Sequence, residues 1–374
     1  MPGPLRILTV VGARPQFIKA AALTRAIEGP FAGRIQQTVL HTGQHYDATM
    51  SEVFFRELGS RGPDVLLRAA EGEASRFGRM MDGIQRTIVE LRPDLLLVYG
   101  DTTSTLAGAM AATRLGLPVA HVEAGLRSFD NAMPEEENRV ITDHASTWLF
   151  CPTATAVAQL RNEGMVDAPG ALPPGGAPRV INVGDVMFDN ALFYRQAATS
   201  RHVLDELGLR GADFAVATIH RAGTADDPVT LGRIMEAFNA VFERTGIRMI
   251  VPLHPRTRKT LGAEYREPVG VRIIPPIGYL DMLALVDASR FVLTDSGGLQ
   301  KEAAFLGKRA VILRENTEWV ELLGPGGSVL VGTDPERIIE AAMDLSHHSE
   351  TTLPTAFGDG HAAEHICNEL LHVG

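Results

Sequence analysis

The sequence predicts an α/β protein made of two Rossmann-like domains with parallel sheets. Three observations support this fold class. Short apolar runs alternate with segments of helical periodicity along the whole chain, a pattern typical of parallel sheets covered by helices on both faces. The 374 residues suffice for two domains of ordinary size. Charged and polar residues follow the apolar runs in both halves, as expected where ligands bind at the carboxyl ends of parallel strands.

The composition excludes several classes of protein. The net charge of −10 argues against nucleic acid as a partner, because a protein that binds a duplex needs a basic face. No apolar run reaches the roughly 18 to 20 residues needed to cross a bilayer, so no membrane partner is expected. The two cysteines, Cys151 and Cys367, have no metal-binding or redox spacing. The predicted compartment is the cytoplasm.

Six apolar runs in the first half are predicted as strands, and the first is too short to be a signal peptide. They are Leu5–Val11, Gln37–His41, Leu95–Tyr99, Val119–Val122, Thr147–Cys151 and Val180–Val183. Segments between them are predicted as helices, of which the last has a polar face. These are Phe17–Ile27, Met50–Leu58, Ser75–Leu91, Leu106–Leu115 and Pro134–Ser146. We predict that the first domain spans residues 1–185.

The second half repeats this alternation without repeating the sequence. The predicted strands are Phe214–Ile219, Met249–Leu253, Val271–Ile274, Phe291–Leu293, Ala310–Leu313 and Val329–Val331. The helix after the first of them has a clear apolar face, made of Leu231, Ile234, Met235, Phe238, Val241 and Phe242. Another helix is predicted at Leu299–Leu306. We predict that the second domain spans residues 186–358.

Six predicted strands are followed by residues that carry charge or can bind anions. They are Arg14 with Lys19, then Asp101, Glu123, His220 with Arg221, His254 with Arg256 and Arg258, and finally Asp295 to Gly298. Because parallel strands end at one edge of their sheet, we expect these residues to form one shared site. Two Rossmann-like halves facing each other would place that site in a central cleft.

The segment Thr294–Glu302 carries the clearest indication of a ligand. It contains Asp-Ser-Gly-Gly between a predicted strand and a predicted helix. Such a turn offers backbone N–H groups, a Ser N-cap and glycines without Cβ atoms, and it is suited to a phosphate. Glu302, one turn further on, is placed to accept hydrogen bonds from a ribose. We therefore predict a nucleotide diphosphate here, with a plain tight turn as the structural alternative.

The other candidate residues also have structural alternatives. Asp101 precedes two threonines and is compatible with a helix N-cap. Glu135 lies in the first turn of a predicted helix, where acidic residues favour the helix dipole. His220 is equally compatible with an ordinary loop histidine. No metal site is predicted, because the histidine spacings match no chelating pattern.

At these residues the chain resembles the non-hydrolysing UDP-N-acetylglucosamine 2-epimerase family. The matching motifs are Gly12-Ala13-Arg14-Pro15 with Lys19, Tyr99 to Thr103, His121 to Arg127, Pro134 to Arg139, His220-Arg221 and Thr294 to Gly298. The resemblance implies a fold of the GT-B type, with two domains facing a central cleft. It also implies that a C-terminal helix within residues 359–374, roughly His361–His372, crosses back to the first domain. A homodimer and the absence of any metal or redox cofactor are further implications.

The resemblance also implies a reaction and a set of site residues. UDP-N-acetylglucosamine would be inverted at C-2 of the sugar to give UDP-N-acetylmannosamine, by elimination and re-addition of UDP through 2-acetamidoglucal. Such chemistry needs acid–base groups together with stabilisation of the leaving group. The implied catalytic residues are Asp101, Glu123, Glu135 and His220. The implied UDP-sugar contacts are Arg14, Lys19, Arg139, Arg221, His254, Ser296, Gly297, Gly298, Glu302 and Arg314.

One segment departs from the common pattern of the family. Residues Arg314 to Glu321 replace the usual Thr-Glu-Arg-Pro-Glu motif. Together with Arg14 to Lys19 and Gly184 to Met187, this segment resembles a branch of the family that includes UDP-2,3-diacetamido-2,3-dideoxyglucuronate 2-epimerases. UDP-N-acetylglucosamine is the first predicted substrate and the diacetamido uronate is the alternative. A hydrolysing 2-epimerase, a UDP-sugar glycosyltransferase and a silent sugar-nucleotide binding protein are further alternatives. The cluster of Asp101, Glu123 and Glu135 argues against the transferase.

Overall fold

A computed structural model describes residues 3–44, 57–59, 61–67, 73–130, 133–167, 178–262, 264–348 and 355–372. The chain forms two compact units. The first contains Met1–Asn190 and Thr355–Gly374, and the second contains Ala191–Pro354. The sequence prediction placed these boundaries after residues 185 and 358.

The first unit is built on a sheet of seven parallel strands. They are β1 (Leu5–Val11), β2 (Ile35–His41), β3 (Val65–Leu66), β4 (Leu95–Tyr99), β5 (Val119–Val122), β6 (Trp148–Cys151) and β7 (Arg179–Asn182). Their order in the sheet is β3-β2-β1-β4-β5-β6-β7. Every residue of β4 is buried, because helices cover both faces at the centre of the sheet. The two-residue strand β3 is too short to have a periodic signature and was not predicted.

The helices of the first unit follow its strands. They span Arg14–Glu28, Glu73–Leu91, Thr103–Arg114, Pro134–Ala145, Ala154–Asn162, Val186–Thr199, which continues into the second unit, and Ala362–Leu371. The helix Ala154–Asn162 was not predicted from the sequence. The predicted helix Met50–Leu58 lies almost wholly outside the described residues.

The C-terminal helix belongs to the first unit. Its first turn is capped by Asp189, whose carboxylate accepts hydrogen bonds from the backbone N–H groups of Ala362 at 3.0 Å and Ala363 at 2.8 Å. Gly184, just before this region, approaches the backbone at Phe357 so closely that a Cβ atom would lie 2.9 Å from that carbonyl oxygen. The predicted return of the C-terminal helix to the first domain is confirmed.

The second unit contains a sheet of six parallel strands. They are β8 (Phe214–Thr218), β9 (Arg248–Pro252), β10 (Val271–Ile274), β11 (Val292–Thr294), β12 (Ala310–Ile312) and β13 (Val329–Leu330), in the order β10-β9-β8-β11-β12-β13. Its helices span Val203–Glu206, Ala222–Ala225, Pro228–Thr245, Pro255–Thr260, Tyr279–Ala288, Gly297–Phe305 and Pro335–His347, with a 3-10 turn at Val320–Leu322. The prediction of two parallel α/β sheets is therefore confirmed.

The helix Pro228–Thr245 shows how the sequence determines these elements. Asp227 caps its start by accepting hydrogen bonds from the N–H groups of Val229 and Thr230. Gly246 ends it with φ of 73°, a left-handed conformation that favours glycine. The apolar face predicted from the sequence, from Leu231 to Val241, is buried in the core of the unit.

Each sheet reverses its strand order at one point. In the first unit the reversal lies between β1 and β4, and in the second unit it lies between β8 and β11. Ligands of open parallel sheets bind at the carboxyl ends of the strands at such a point. The loops after these four strands, together with the helices that follow β1 and β11, carry most of the candidate site residues. No helix in the described ranges is long and apolar enough to cross a membrane.

Candidate active site

The turn after β1 is tied to the end of β4 by one buried side chain. The Oε1 atom of Gln16 accepts hydrogen bonds from the N–H groups of Gly12 at 2.8 Å and Ala13 at 3.1 Å. Its Nε2 atom donates to the Tyr99 carbonyl at 2.9 Å and the Thr105 hydroxyl at 2.9 Å. Gln16 therefore fixes the turn at the reversal point of the sheet. Its role was not predicted.

Glycine is required at position 12 of this turn. A Cβ atom there would lie 2.0 Å from the Ser104 hydroxyl oxygen and 2.3 Å from that of Thr42. Arg14, which was predicted to bind substrate, is the first residue of the following helix. Its side chain lies outside the described part of the structure.

Glu123, at the end of β5, forms an ion pair with Lys19. The Lys19 ammonium contacts the Oε2 atom of Glu123, and the two side chains are only 14% and 8% exposed. The backbone of Glu123 has φ of 73°, a left-handed conformation that is uncommon for glutamate and is concentrated at functional sites. Lys19, predicted as a substrate contact, is thus paired with a predicted catalytic acid.

Asp101 follows β4 and is held by the helix Pro134–Ala145. Its carboxylate accepts a hydrogen bond from Arg139, and its carbonyl oxygen accepts one from the Asn138 amide at 2.9 Å. Thr102 is the N-cap of the next helix, with its hydroxyl accepting from the Thr105 N–H. The capping alternative for Asp101 is therefore excluded. Its side chain remains 31% exposed and accessible to a ligand.

Glu136 connects Arg139 to a neighbouring turn. One of its oxygens accepts hydrogen bonds from Arg139 and from the N–H and hydroxyl of Ser128, at 2.9 and 2.8 Å, while the other accepts from the Phe129 N–H at 3.1 Å. Burial opposes the ionisation of Glu136. The hydrogen bonds from Ser128 and Phe129 and the charge of Arg139 outweigh that effect, so the pKa of Glu136 is lowered.

The predicted catalytic residue Glu135 has a different environment. Glu135 is exposed at the start of the helix, whereas Glu136 is buried. The structure therefore brings Asp101 and Arg139 together and pairs Glu123 with Lys19. The carboxylate that joins this arrangement from the helix is that of Glu136, which was not selected from the sequence.

In the second unit, Asp295 fixes the loop that carries His220 and Arg221. The buried carboxylate of Asp295, just after β11, accepts hydrogen bonds from the His220 N–H at 3.0 and 2.9 Å and from the Arg221 N–H at 2.9 Å. These bonds cross the reversal point between β8 and β11. They hold the backbone of His220, and the residue remains exposed.

The glycine-rich turn after β11 begins the helix Gly297–Phe305. Ser296 is the N-cap, with its hydroxyl accepting from the Leu299 N–H at 3.5 Å. A Cβ atom on Gly297 would lie 2.3 Å from the Glu318 Oε1 atom and 3.2 Å from the Trp319 Nε1 atom. Gly298 is open by comparison, since only the Ser296 hydroxyl lies within 4 Å. Glu302 is largely buried one turn later.

Arg314 is a buried cation close to this turn. Its guanidinium donates from Nη2 to Glu318 at 2.9 Å and to Asn316 at 3.3 Å, and its side chain is 3% exposed. Within the described part of the chain, its Nε and Nη1 atoms have no hydrogen-bond partner. Buried donors without partners are costly, and an anion is the type of ligand whose charge and acceptor atoms would suit these nitrogen atoms.

Two further residues of the second unit have structural roles, and one of them, His254, was predicted to contact the substrate. His254 is the N-cap of the short helix Pro255–Thr260, and its Nδ1 atom accepts from the Arg256 N–H at 3.2 Å. Lys301 lies under Trp319, with its ammonium 3.8 Å from the ring centroid, in the segment that departs from the common family pattern. Among the described residues, no group of three or more His, Cys, Asp or Glu side chains is arranged to hold a metal ion.

Comparison with known proteins identifies the family. A model of the UDP-N-acetylglucosamine 2-epimerase family matches residues 31–371. The chain belongs to this family. The UDP-2,3-diacetamido-2,3-dideoxy-D-glucuronate 2-epimerase of Pseudomonas aeruginosa is 45% identical over 371 residues, which cover 98% of this chain and 99% of that protein. The UDP-N-acetylglucosamine 2-epimerase of Methanococcus maripaludis is 34% identical over 372 residues, 97% of each chain.

A solved structure of the family supports the fold. The Methanocaldococcus jannaschii UDP-GlcNAc 2-epimerase, in complex with UDP-GlcNAc and UDP, matches with a TM-score of 0.85 and 34% identity. The match covers 98% of this chain and 99% of that chain. The predicted GT-B-type fold class is therefore confirmed. Epimerases are isomerases, and this member of the UDP-N-acetylglucosamine 2-epimerase family is an enzyme of that class.

Proposed function

We propose that the protein is a non-hydrolysing 2-epimerase of a UDP-linked 2-acetamido sugar. The observation that carries this proposal is the pair of carboxylates, Asp101 and Glu123, at the ends of the adjacent strands β4 and β5. Each is paired with a cation, Arg139 or Lys19. Inversion at a sugar carbon requires one group to remove a proton and another to return it on the opposite face, so it needs acidic groups gathered at one place, as they are at these strand ends.

The proposed reaction has two balanced steps. One carboxylate takes the C-2 proton while the C-1–O bond breaks, and UDP leaves with the bonding electrons. The product of this step is a 2-acetamidoglycal. A proton then adds to the opposite face of C-2, and the diphosphate oxygen rejoins C-1. We assign Asp101 and Glu135 to C-2, Glu123 to holding or tuning them, and His220 to the departing phosphate.

The second unit is proposed to hold UDP. Buried Arg314, with two nitrogen atoms that lack a hydrogen-bond partner in the described chain, supports an anion there, as does the N-terminus of the helix Gly297–Phe305. We assign Ser296, Gly297 and Gly298 to the diphosphate and Glu302 to the ribose. Arg14, Arg221 and His254 remain proposed contacts of the UDP-sugar. The enzyme is proposed to act as a cytoplasmic homodimer without a metal or redox cofactor.

Two candidate substrates follow from the comparisons. The diacetamido-dideoxyglucuronate epimerase shares 45% identity with the chain, against 34% for the UDP-N-acetylglucosamine epimerase of Methanococcus maripaludis. Residues Arg314 to Glu321 also depart from the common motif of the family. These observations favour UDP-2,3-diacetamido-2,3-dideoxyglucuronate, and UDP-N-acetylglucosamine is the second candidate.

Proton NMR in heavy water tests the proposal. The enzyme is incubated with each UDP-sugar, and deuterium incorporation at C-2 is followed together with the 2-epimer that forms. Exchange with UDP still attached at equilibrium supports the proposed reaction. Exchange with only one sugar identifies the substrate. Release of free sugar in stoichiometric amounts would indicate a hydrolysing enzyme instead.

An active-site variant shows whether the measured exchange comes from this enzyme or from a contaminating one. Asp101→Asn should lower the exchange rate by about 10²–10⁴-fold, the usual contribution of a general acid or base. Asp82→Asn is the matched control, because Asp82 is exposed on the helix Glu73–Leu91. Full exchange activity in a folded Asp101→Asn enzyme would contradict the catalytic assignment.

A further inference from the structure

His121 is a fully buried histidine whose two ring nitrogens both have partners. It lies in the middle of β5, two residues before Glu123, and is 0% exposed. Its Nε2 atom lies 2.7 Å from the carbonyl oxygen of Gly100, and its Nδ1 atom lies 2.7 Å from the Oδ1 atom of Asp143. None of the structural or catalytic assignments above involves this side chain.

The chemistry of the two partners determines where the hydrogens are. A backbone carbonyl can only accept a hydrogen bond, so the Nε2 atom of His121 carries a hydrogen. A carboxylate also only accepts, and an Nδ1 lone pair facing Oδ1 at 2.7 Å would be repelled. A second hydrogen therefore lies between Nδ1 and Asp143. The pair holds one more proton than a neutral histidine beside an ionised aspartate.

The surroundings of Asp143 favour its ionised form. Its Oδ2 atom accepts hydrogen bonds from the Gly125 N–H at 3.1 Å and from Arg127 at 2.7 Å, and Arg127 in turn pairs with Glu163. Burial raises the pKa of Asp143, but the contacts with His121 and Arg127 outweigh it, so the pKa is lowered. Nearby Cys151 adds no charge, because burial raises the pKa of its thiol.

The Gly100 carbonyl belongs to the peptide bond that joins Gly100 to Asp101. Because a peptide unit is planar and rigid, a hydrogen bond to this oxygen fixes the orientation of the whole Gly100–Asp101 peptide unit, including the Asp101 nitrogen. The next carbonyl, that of Asp101, is held by Asn138 at 2.9 Å. Asn138 and Asp143 lie on one helix, Pro134–Ala145, which also carries Arg139. The carbonyl oxygens of Gly100 and Asp101 thus both accept hydrogen bonds from buried or partly buried side chains.

We propose that the His121–Asp143 pair is a buried imidazolium–carboxylate that positions the turn carrying Asp101 for proton transfer. His121 is a positioning residue, since it acts through the Gly100 carbonyl. This inference rests on the proposed function for its catalytic part only. The protonation of the pair is a property of the free protein and is measured without substrate.

Nitrogen NMR of the full chain, labelled with ¹⁵N-histidine, tests the protonation. The His121 signals are assigned by their loss in a His121→Gln variant. Both ring nitrogens are expected to carry hydrogen at neutral pH. In Asp143→Asn, the amide oxygen keeps the contacts to Gly125 and Arg127 and its NH₂ group faces His121, so Nδ1 should lose its hydrogen. An unprotonated ring nitrogen in the unmodified protein at neutral pH would overturn the inference.

Kinetics test the positioning. His121→Gln should lower kcat by about 100-fold, the effect of a misplacement of about 1 Å, with KM and UDP affinity unchanged. Asp143→Asn keeps the Nε2–H donor and should retain most of kcat. If His121→Gln fails to fold, the loss of the Nδ1 hydrogen in Asp143→Asn still tests the proposed protonation. His144→Gln is the control, because His144 is an exposed histidine on the helix that carries Asp143. Unchanged kcat in folded His121→Gln would overturn the inference, whereas absence of C-2 exchange in the unmodified enzyme would overturn the proposed function and leave the NMR result standing.

Discussion

The guanidinium of Arg139 forms an ion pair with the carboxylate of Asp101. Arg139 is 4% exposed at its side chain, and its other arm binds Glu136. The arginine was predicted to contact substrate, but in the structure it holds a proposed catalytic acid. Its planar fork spans two carboxylates at once, a geometry that lysine does not reproduce.

Arg139→Lys should therefore lower the rate of C-2 exchange although it preserves the charge. We expect a decrease of about 10²-fold, because Asp101 loses its orientation. UDP affinity, measured by calorimetry, should not change. Arg114→Lys, at an exposed helix end, is the control. A folded Arg139→Lys enzyme with normal exchange would show that the pair does not position Asp101.

The adjacent acids Glu135 and Glu136 form a natural matched pair. Glu135→Gln should lower C-2 exchange by about 10²–10⁴-fold if this exposed residue handles a proton, with thermal stability unchanged. Glu136→Gln should instead lower the free energy of unfolding by about 2 kcal/mol, because a buried acceptor of several hydrogen bonds loses its charge. Denaturant unfolding and exchange rates of both variants are compared. A reversed pattern would assign the proton-transfer role to Glu136.

The lowered pKa of Glu136 predicts how its contribution depends on pH. A carboxylate whose pKa is lower in the folded state than in the unfolded state stabilises the fold above the unfolded value. That contribution should be complete above about pH 5 and should decline as the pH falls through the folded pKa. The difference in free energy of unfolding between the unmodified protein and Glu136→Gln should therefore shrink on acidification. A difference that is constant from neutral pH to about pH 3 would contradict this.

Gly297→Ala should weaken UDP binding. The new Cβ atom would meet Glu318 at 2.3 Å, which forces the carboxylate and its partner Arg314 to move. We expect the free energy of unfolding to fall by about 1–3 kcal/mol and the affinity for UDP to fall by about tenfold or more. Gly232→Ala is the control, since a Cβ there meets nothing within 4 Å. Calorimetric titration with UDP measures the affinity. Unchanged affinity in a folded Gly297→Ala protein would contradict the assignment of Gly297 to the diphosphate site.

The sequence predicted the strand ends well for a physical reason. Buried parallel strands are continuous apolar runs, so the polar residue that ends each run, such as Asp101 or Glu123, marks the carboxyl edge of the sheet. The two Rossmann-like parallel sheets were also predicted from this pattern, and the C-terminal helix from the resemblance to the family. Bonds between distant segments were not, because they have no periodic signature. Gln16 reaches the carbonyl of Tyr99, 83 residues away.

The helix Pro134–Ala145 shows the same limit most clearly. Its polar face contains Glu136, Arg139 and Asp143, at helical spacing, and all three are buried. Periodicity shows that residues share a face, and a polar face is normally assigned to solvent. Here the face packs against other charged groups, a fact that only the positions of Asp101, His121 and Arg127 reveal.

The capping of the C-terminal helix by Asp189 has a consequence for synthesis on the ribosome. The carboxylate and the N–H groups of Ala362 and Ala363 are separated by 173 and 174 positions in the sequence. The second unit is continuous, whereas the first is completed only after the whole of the second has been translated. The first unit must therefore remain incomplete until the C-terminal helix, which packs on the helix Arg14–Glu28, has been synthesised. A nascent chain stalled before residue 355 would lack this helix and leave the Asp189 carboxylate without the N–H groups of Ala362 and Ala363.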